Sequence, residues 1–282
     1  MRTPAMRLRN SAIAVALVIG LASTAAAASD GALRVCADPN NLPFSNSAEA
    51  GFENRLAAMV AEHFGETIAY TWWAQRRGFI RSTLKAGQCD VVMGVPKGYD
   101  LVETTKPYYR STYVFVSRQD RKLDLSSLRD PRLHHLAIGV HLIGDDGNNP
   151  PPAQALGEEG IVDNVRGYSI YGDYRQANPP ARLIEAVASG EIDVAAAWGP
   201  LAGYFAQRSA VPLTVTSITD TEAFAPQQFQ FAIAMGVRKG DHALRDRLNA
   251  FIDGHRSEIG SLLRSYGVPL VEQPVTASGG HE

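Results

Sequence analysis

One motif occurs twice in the sequence, and this repetition constrains the fold more than any other feature. "AGQCDVVMGVP" at 86–96 and "SGEIDVAAAWGP" at 189–200 both read as a helix end, a Gly, two residues, an Asp and a short apolar strand. Each strand stops at a turn that contains Gly and Pro. Apolar strands that follow helices are typical of parallel sheets covered on both faces. The repeat therefore predicts two α/β units.

The segments around the first copy predict alternating strands and helices. Residues 32–39, 67–73 and 89–95 are short apolar or β-branched runs, which indicate strands. Residues 51–65 carry Phe52, Leu56, Met59, Val60 and Phe64 at helical spacing, with Glu53 in the first turn and Gly65 as a stop. A second helix is predicted over 77–87. The first unit is thus a three-stranded parallel sheet with helices between its strands.

The segments around the second copy follow the same order. We predict strands at 136–140, 192–198 and 213–218, a loop at 143–152, and helices at 178–190 (with Asn178 as N-cap) and 201–209. Residues 111–118 and 228–240 are predicted to cross between the units, and helices at 241–253 and 255–266 follow. The predicted fold is α/β with two lobes, each a mainly parallel sheet flanked by helices, joined by two crossing strands. We place lobe 1 at 29–117 plus 227–272, lobe 2 at 118–226, and a flexible tail at 273–282.

The N-terminus has the pattern of a secretory signal over residues 1–28. Arg2, Arg7 and Arg9 precede an apolar run from Ala12 to Leu21, and small residues follow. The run is shorter than the roughly 20 residues of a membrane span, which favours a cleaved signal over an uncleaved anchor. Cleavage would remove three arginines and change the formal charge from −2 to −5. An acidic mature protein has no electrostatic reason to bind nucleic acid, and no membrane insertion is expected after processing.

Export also bears on Cys36 and Cys89, the two cysteines of the chain. An even pair in an oxidising compartment predicts a disulfide, since the first and third strands of such sheets are usually neighbours. Cys36 lies near the end of one strand and Cys89 at the start of the other, so the register could keep them apart. Two buried free thiols are the alternative.

The two lobes predict a shared cleft. Ligands of open α/β sheets bind at the carboxyl ends of the strands. Gly94 and Trp198 occupy those ends in the two copies of the motif. We therefore expect them to face each other across the cleft.

Several motifs together identify a resemblance to a known family. "DPNNLPFS" (38–45), "LKAGQCDVVMGV" (84–95), "KPYYRSTYVFVSR" (106–118) and "FAIAMGVRKGDHALRDRLNAFI" stand within residues 32–270. They resemble the periplasmic solute-binding proteins of ABC importers, in the amino-acid branch (family 3, type II fold). The stretch "YTWWAQRRGFIRSTLKAGQCDVVMGVPKGYD" is similar to a subfamily encoded beside quinoprotein dehydrogenases, the J proteins of methanol dehydrogenase systems.

The sequence departs from this family at both charge clamps of an amino-acid ligand. The family holds the α-carboxylate with an Arg past the third strand, yet no Arg lies between Met93 and Tyr109. It holds the α-ammonium with an acidic residue at the position that Trp198 occupies. A zwitterion without these partners would lose several kcal/mol per uncompensated charge. The resemblance therefore implies the fold without its usual ligand.

Aromatic, basic and polar residues are predicted around the cleft instead. Trp, Tyr and Arg are the residue types enriched at protein–protein hot spots, although Trp72 and Trp73 could equally pack in the core. The candidate ligand- or partner-binding residues are Asp38, Asn40, Asn41, Phe44, Trp72, Trp73, Arg76, Arg77, Gly94, Pro96, Tyr99, Tyr108, Tyr109, Arg110, Gly144, Asp145 and Trp198.

Signals for an enzyme or a metal site are weaker. "STLK" (82–85) lacks the other motifs of an S-x-x-K enzyme, and Asp38 and Asp100 are the candidates for a general acid or base in a dehydratase-like enzyme. "GDDGNN" (144–149) offers oxygen donors suited to Ca²⁺ or a lanthanide but lacks EF-hand spacing, so a turn is favoured. We expect no metal site and no catalysis.

The resemblance implies a periplasmic accessory protein. Its expected partner is a PQQ-dependent (quinoprotein) alcohol or methanol dehydrogenase, with that enzyme's cytochrome c as a further candidate. We expect a monomer without a cofactor of its own, while the partner uses PQQ and Ca or a lanthanide. The role implied is that of a chaperone or activator in methanol oxidation. A solute receptor of an importer, with an aromatic-lined cleft, is the alternative.

Overall fold

The structure, a computed structural model, describes residues 31–142, 149–170 and 176–272. In the first part of the chain the elements are β1 (Ala32–Ala37), α1 (Phe52–Phe64), β2 (Thr67–Trp72), α2 (Phe79–Ser82), β3 (Val91–Pro96) and β4 (Glu103–Arg118). The middle part contains β5 (Ile138–Leu142), α3 (Pro151–Glu158), β6 (Val165–Ser169), α4 (Arg182–Ser189), β7 (Val194–Trp198), α5 (Gly199–Arg208) and β8 (Leu213–Ser217). The last part contains β9 (Gln230–Val237), α6 (His242–Gly254) and α7 (Arg256–Ser265).

The strands form two parallel groups within one mixed sheet. The order is β2-β1-β3-β9-β4-β7-β5-β6, and β8 pairs with β4 off this path. β1 is parallel to β2 and β3, and β5 is parallel to β6 and β7. The predicted α/β class with two mainly parallel lobes is confirmed. We call β1–β3, β9, α1, α2, α6 and α7 lobe 1, and β5–β8 with α3–α5 lobe 2.

The 16-residue strand β4 connects the two lobes. Its first part pairs antiparallel with β9, from Glu103 opposite Val237 to Thr112 opposite Gln230. Its second part pairs antiparallel with β7 and β8, beginning at Tyr113 opposite Trp198. The two crossing segments predicted at 111–118 and 228–240 are therefore these two strands, and β4 begins eight residues earlier than predicted.

Each lobe has its own apolar core. Phe52, Leu56, Met93 and Phe251 are buried together between β1, β3 and the helices α1, α6 and α7. On the other face of the same strands, Cys36 and Cys89 pack with Phe79, Ile80, Leu84 and Val92. In lobe 2, one cluster contains Ile138 and Leu156 and a second contains Leu183 and Val187. Burial on both faces explains why the strands are apolar along their length.

The Cys36–Cys89 disulfide is present, and it closes a loop with a sequence separation of 53. β1 and β3 are neighbours, with Cys36 opposite Val92, so the two Cα atoms lie 5.5 Å apart. The prediction of a disulfide is confirmed over the alternative of free thiols.

Three local predictions differ from the structure. The helix predicted at 77–87 ends at Ser82, where the Phe79 carbonyl accepts both the Thr83 hydroxyl (2.6 Å) and the Thr83 N–H (3.0 Å). Asn178 does not cap a helix with its side chain: the two prolines after it have no N–H, and the Ala181 N–H donates to the Asn178 backbone carbonyl (2.9 Å). One 3₁₀ turn therefore precedes α4. Helix α3 begins at Pro151, inside the loop predicted at 143–152, and strand β6 follows it; neither element was predicted.

No helix in the described ranges is both long enough and apolar enough to span a membrane.

Candidate ligand cleft

A cavity of about 360 Å³ lies between the lobes at the ends of β3 and β7. Gly94 and Trp198 both line it, as the repeated motif predicts. Asn41, Phe44, Pro96 and Tyr109, which were also predicted, line the same space. The remaining walls come from both lobes: Glu53, Gln75, Val95, Tyr113, His141, Pro150, Ile170, Ala196, Ala197, Leu201 and Ile233.

Glu53 extends from the first turn of α1 into the cleft. Gly51 begins this helix, and Asn54 Oδ1 accepts the Gly51 N–H at 3.1 Å, which fixes the direction of the first turn. A Cβ on Gly94 would overlap Oε1 of Glu53, so glycine at position 94 leaves room for the carboxyl group in its present rotamer. Glu53 is 7% exposed, and burial raises the pKa of its carboxyl from 4.5 to about 8.

Aromatic rings form much of the remaining wall. Tyr113 and Trp198 meet edge to face with ring centroids 5.3 Å apart, and Trp198 also packs against Phe231 at 5.7 Å. Trp198 contacts the cores of both lobes, so its ring spans the base of the cleft. Burial raises the pKa of Tyr109 and Tyr113, and both phenols are therefore neutral at pH 7.

His141 faces the cleft from lobe 2, near the end of β5. Its Nε2 lies 3.3 Å from the Pro180 carbonyl, and the side chain is buried. Burial lowers the pKa of the imidazole from 6.5 to about 4, so the ring is neutral at pH 7. The described lining contains no Lys or Arg, and Glu53 is its one carboxylic acid. Among described residues the cleft therefore has no cationic clamp for an α-carboxylate, and its one acid comes from α1 instead of the strand end that Trp198 occupies.

Other predicted residues line a second surface that adjoins the cleft. Arg76, Arg77 and Tyr99 lie around a depression that shares Gln75, Gly94 and Pro96 with the cleft wall. We call Trp73, Arg76, Arg77, Arg81 and Tyr99 the rim surface. Trp73 is 49% exposed and Tyr99 38%, which is unusual for rings of this size.

Asp38 and Asn40 have structural partners instead of facing the cleft. Asp38 is 1% exposed and accepts the backbone N–H groups of Asn40 (2.8 Å) and Gln75 (2.7 Å). Asn40 reaches the other lobe, because its Nδ2 donates to the Gln176 carbonyl at 2.8 Å and its Oδ1 accepts the Asn178 N–H at 3.3 Å. These two bonds hold the lobes together at one side of the cleft.

The structure does not bring four further candidates into the cleft. Trp72 stacks on Tyr70 with ring centroids 4.4 Å apart, and Trp73 is on the rim surface. Tyr108 packs against the lobe 1 core, and its buried hydroxyl has no hydrogen-bond partner among described residues. Arg110 is half-buried at the middle of β4. Gly144 and Asp145 lie outside the described residues.

Sequence reasoning missed Glu53 and His141 as cleft residues. Glu53 lies in the first turn of a predicted helix, where an acid is favourable in any protein, and His141 directly follows a predicted strand. Asp100, the other candidate for acid–base chemistry, does not line the cleft. In the described part of the chain no group of three or more His, Cys, Asp or Glu residues could hold a metal ion.

Comparisons with known proteins agree with this architecture. The family model for bacterial extracellular solute-binding proteins, family 3, matches residues 33–267. Protein MoxJ of Methylorubrum extorquens AM1 is 35% identical over 262 residues, which cover 89% of this chain and 85% of that protein.

Two solved structures match along nearly their whole length. The periplasmic binding protein XoxJ from Methylobacterium extorquens AM1 is 35% identical with a TM-score of 0.71, over 86% of this chain and 100% of that one. MxaJ from Methlophaga aminisulfidivorans MPT is 28% identical with a TM-score of 0.72, over 85% of this chain and 100% of that one.

Proposed function

The chain belongs to the bacterial extracellular solute-binding proteins of family 3, and from that premise we propose that it is a non-enzymatic accessory protein of the periplasm. We propose that it binds a PQQ-dependent alcohol or methanol dehydrogenase and assists the maturation or activation of that enzyme. This proposal rests mainly on the match to protein MoxJ, which is 35% identical over 89% of this chain.

The chemistry of the cleft supports a role other than amino-acid import. Among described residues, no guanidinium or ammonium group lines the cavity to bind an α-carboxylate. PQQ is a tricarboxylate, and the neutral His141 and the acidic Glu53 offer it no countercharge. These facts favour a protein that does not itself bind PQQ or the Ca or lanthanide beside it. The partner dehydrogenase would bind both.

The rim surface is the part of lobe 1 best suited to contact a partner. Arg76 and Arg81 are exposed and form no ion pair with a described residue, while Trp73 and Tyr99 supply exposed rings. Three of the five rim-surface residues are arginines, although the chain as a whole carries a formal charge of −2. Exposed Trp, Tyr and Arg are the residues that most often dominate binding energy at protein interfaces. We propose that the partner presents acidic residues to it.

The Cys36–Cys89 bond supports this role by fixing the rim surface to the sheet. Phe79, Ile80 and Leu84 pack against the disulfide and place the chain around Arg76 and Arg81 at the edge of lobe 1. A bond of this kind persists in an oxidising compartment, in agreement with a periplasmic location.

The test is binding of the mature protein to its co-encoded quinoprotein dehydrogenase in apo and holo forms, with turnover recorded alongside. We expect a complex with a Kd in the micromolar range or below that favours the apo form or raises turnover. We expect Arg76→Ala to weaken the complex by about 1–2 kcal/mol, or roughly fivefold to thirtyfold.

Lys239→Ala is the charge-matched control. Lys239 is exposed and follows β9, whose Val237 pairs with Val91 at the end of β3 away from the cleft. This variant should leave affinity unchanged. Absence of binding to either form of the dehydrogenase, or equal losses in both variants, would contradict the proposal.

A further inference from the structure

The carboxyl group of Glu53 is buried, points into the cleft and has no hydrogen-bond partner among described residues. Gly94 makes room for the carboxyl group in this rotamer, since a Cβ at position 94 would overlap Oε1 unless the Glu53 side chain moved. A carboxyl buried for structural reasons alone is usually satisfied by backbone N–H groups, as Asp38 is. Glu53 is therefore placed to receive a donor from a molecule in the cleft.

The walls around this carboxyl are aromatic. Phe44, Tyr109, Tyr113 and Trp198 line the same cavity, and Tyr113 and Trp198 hold each other edge to face. Aromatic faces attract organic cations within about 6 Å of the ring centroid, and a nearby carboxylate adds a countercharge. The remaining described lining is mainly aliphatic, and it suits an apolar body attached to the charged group.

The titratable groups that face Glu53 leave its carboxyl as the one group of the described lining that can become charged near pH 7. Tyr108 and Tyr109 adjoin it, and their phenols are neutral because burial raises the pKa of both. His141 lies in the same cavity and is neutral at pH 7, because burial lowers the pKa of its ring to about 4. An anion would meet no positive charge here, whereas a cation would meet Glu53.

We propose that the cleft binds a small organic ammonium ion with an alkyl or aryl body and no carboxylate, with Glu53 as its counter-ion and the aromatic walls around its body. The cavity, at about 360 Å³, lies at the lower end of the range for small-molecule sites and fits a ligand of this size. This inference goes beyond the accessory role and does not depend on the dehydrogenase.

Binding of such a cation has a proton signature. A carboxyl with a pKa of about 8 carries its proton at pH 7, so forming the ion pair costs about tenfold in affinity and releases close to one proton. Neutral isosteres of the ligand would release none. The proton count therefore separates an ion pair at Glu53 from general adsorption to an apolar cleft.

Isothermal titration calorimetry of the mature protein at pH 7 tests the inference with three matched probes. Benzylammonium, benzyl alcohol and benzoate share one ring and differ in charge. We expect benzylammonium to bind about tenfold more tightly than benzyl alcohol, and benzoate to bind least. Titrations in two buffers of different ionisation enthalpy should give close to one proton released for benzylammonium alone. Butylammonium and tetramethylammonium extend the cation series.

Glu53→Gln should abolish the preference for the cation and retain the weaker binding of benzyl alcohol. Glu62→Gln, on the exposed face of the same helix, is the matched control and should behave as wild type. Equal affinity for the three charge states, no proton release, or an unchanged preference in Glu53→Gln would overturn the inference. The inference would also be overturned if none of the three cations bound with a Kd below about 10 mM. The proton count uses the wild-type protein, so it decides the question even if a variant folds poorly.

Discussion

Replacement of Glu53 by Gln should change how the stability of the protein depends on pH. Burial raises the pKa of the Glu53 carboxyl from 4.5 to about 8 in the folded state. Between these values the folded state binds a proton that the unfolded state has lost, so the free energy of unfolding falls as pH rises. Glutamine does not titrate, and the variant should lack this decline.

The size of the effect follows from the shift. A pKa difference of about 3.5 at 1.36 kcal/mol per unit gives close to 5 kcal/mol in the limit of high pH. Most of this change, about 3.5 kcal/mol, should develop between pH 5 and pH 8. The difference between wild type and variant isolates Glu53, because the other titrating groups contribute to both proteins.

Urea denaturation at pH 5, 6, 7 and 8, followed by both tryptophan fluorescence and circular dichroism, measures the free energy of unfolding. The gap between Glu53→Gln and wild type should widen in favour of the variant as pH rises. Absolute stability can differ between the two proteins without affecting this slope. Parallel pH profiles would show that the Glu53 carboxyl ionises as it would in water, and would refute the argument from burial.

Two further predictions concern other parts of the molecule. Burial lowers the pKa of His141 from 6.5 to about 4, so the free energy of unfolding should fall by up to about 3 kcal/mol as pH falls from 6.5 to 4. The His141→Gln variant should lack this fall in an acid titration. An equal fall in the variant and in wild type would contradict the prediction. Removing the Cys36–Cys89 bond, whose sequence separation is 53, should cost about 4 kcal/mol of unfolding free energy. Cys36→Ser/Cys89→Ser and wild type, compared by urea denaturation, give this value, and stabilities within about 1 kcal/mol would argue against it.

The elements predicted correctly from the sequence carry strong local signals. Helix α1 was placed at 51–65 and spans Phe52–Phe64, because its apolar spacing and the stop at Gly65 agree with its tertiary contacts. Helix α3 was missed, because three consecutive prolines at 150–152 suggest a loop, although prolines are also tolerated in a helical first turn.

The site was predicted less completely than the fold. Six predicted residues line the cleft, and Pro96 and Trp198 among them lie at strand ends whose position is set by the topology. Glu53 gave no such signal, since an acid in the first turn is favourable in any helix. Its direction into the cleft depends on Gly94, a residue 41 positions later whose missing side chain leaves the space.

The path of β4 and β9 has a consequence for the order in which the protein can fold. β9 lies between β3 and β4 in the sheet, yet it is the last strand to be synthesised. Lobe 2 is contiguous along the chain, and because Phe224 and Phe229 belong to its core it can assemble once residues up to Phe229 are free. Lobe 1 begins the chain but lacks a central strand, as well as α6 and α7, until residues 230–265 arrive. In a chain that emerges N-terminus first, the half that appears first is therefore completed last, and its apolar faces depend on the C-terminal segment for cover.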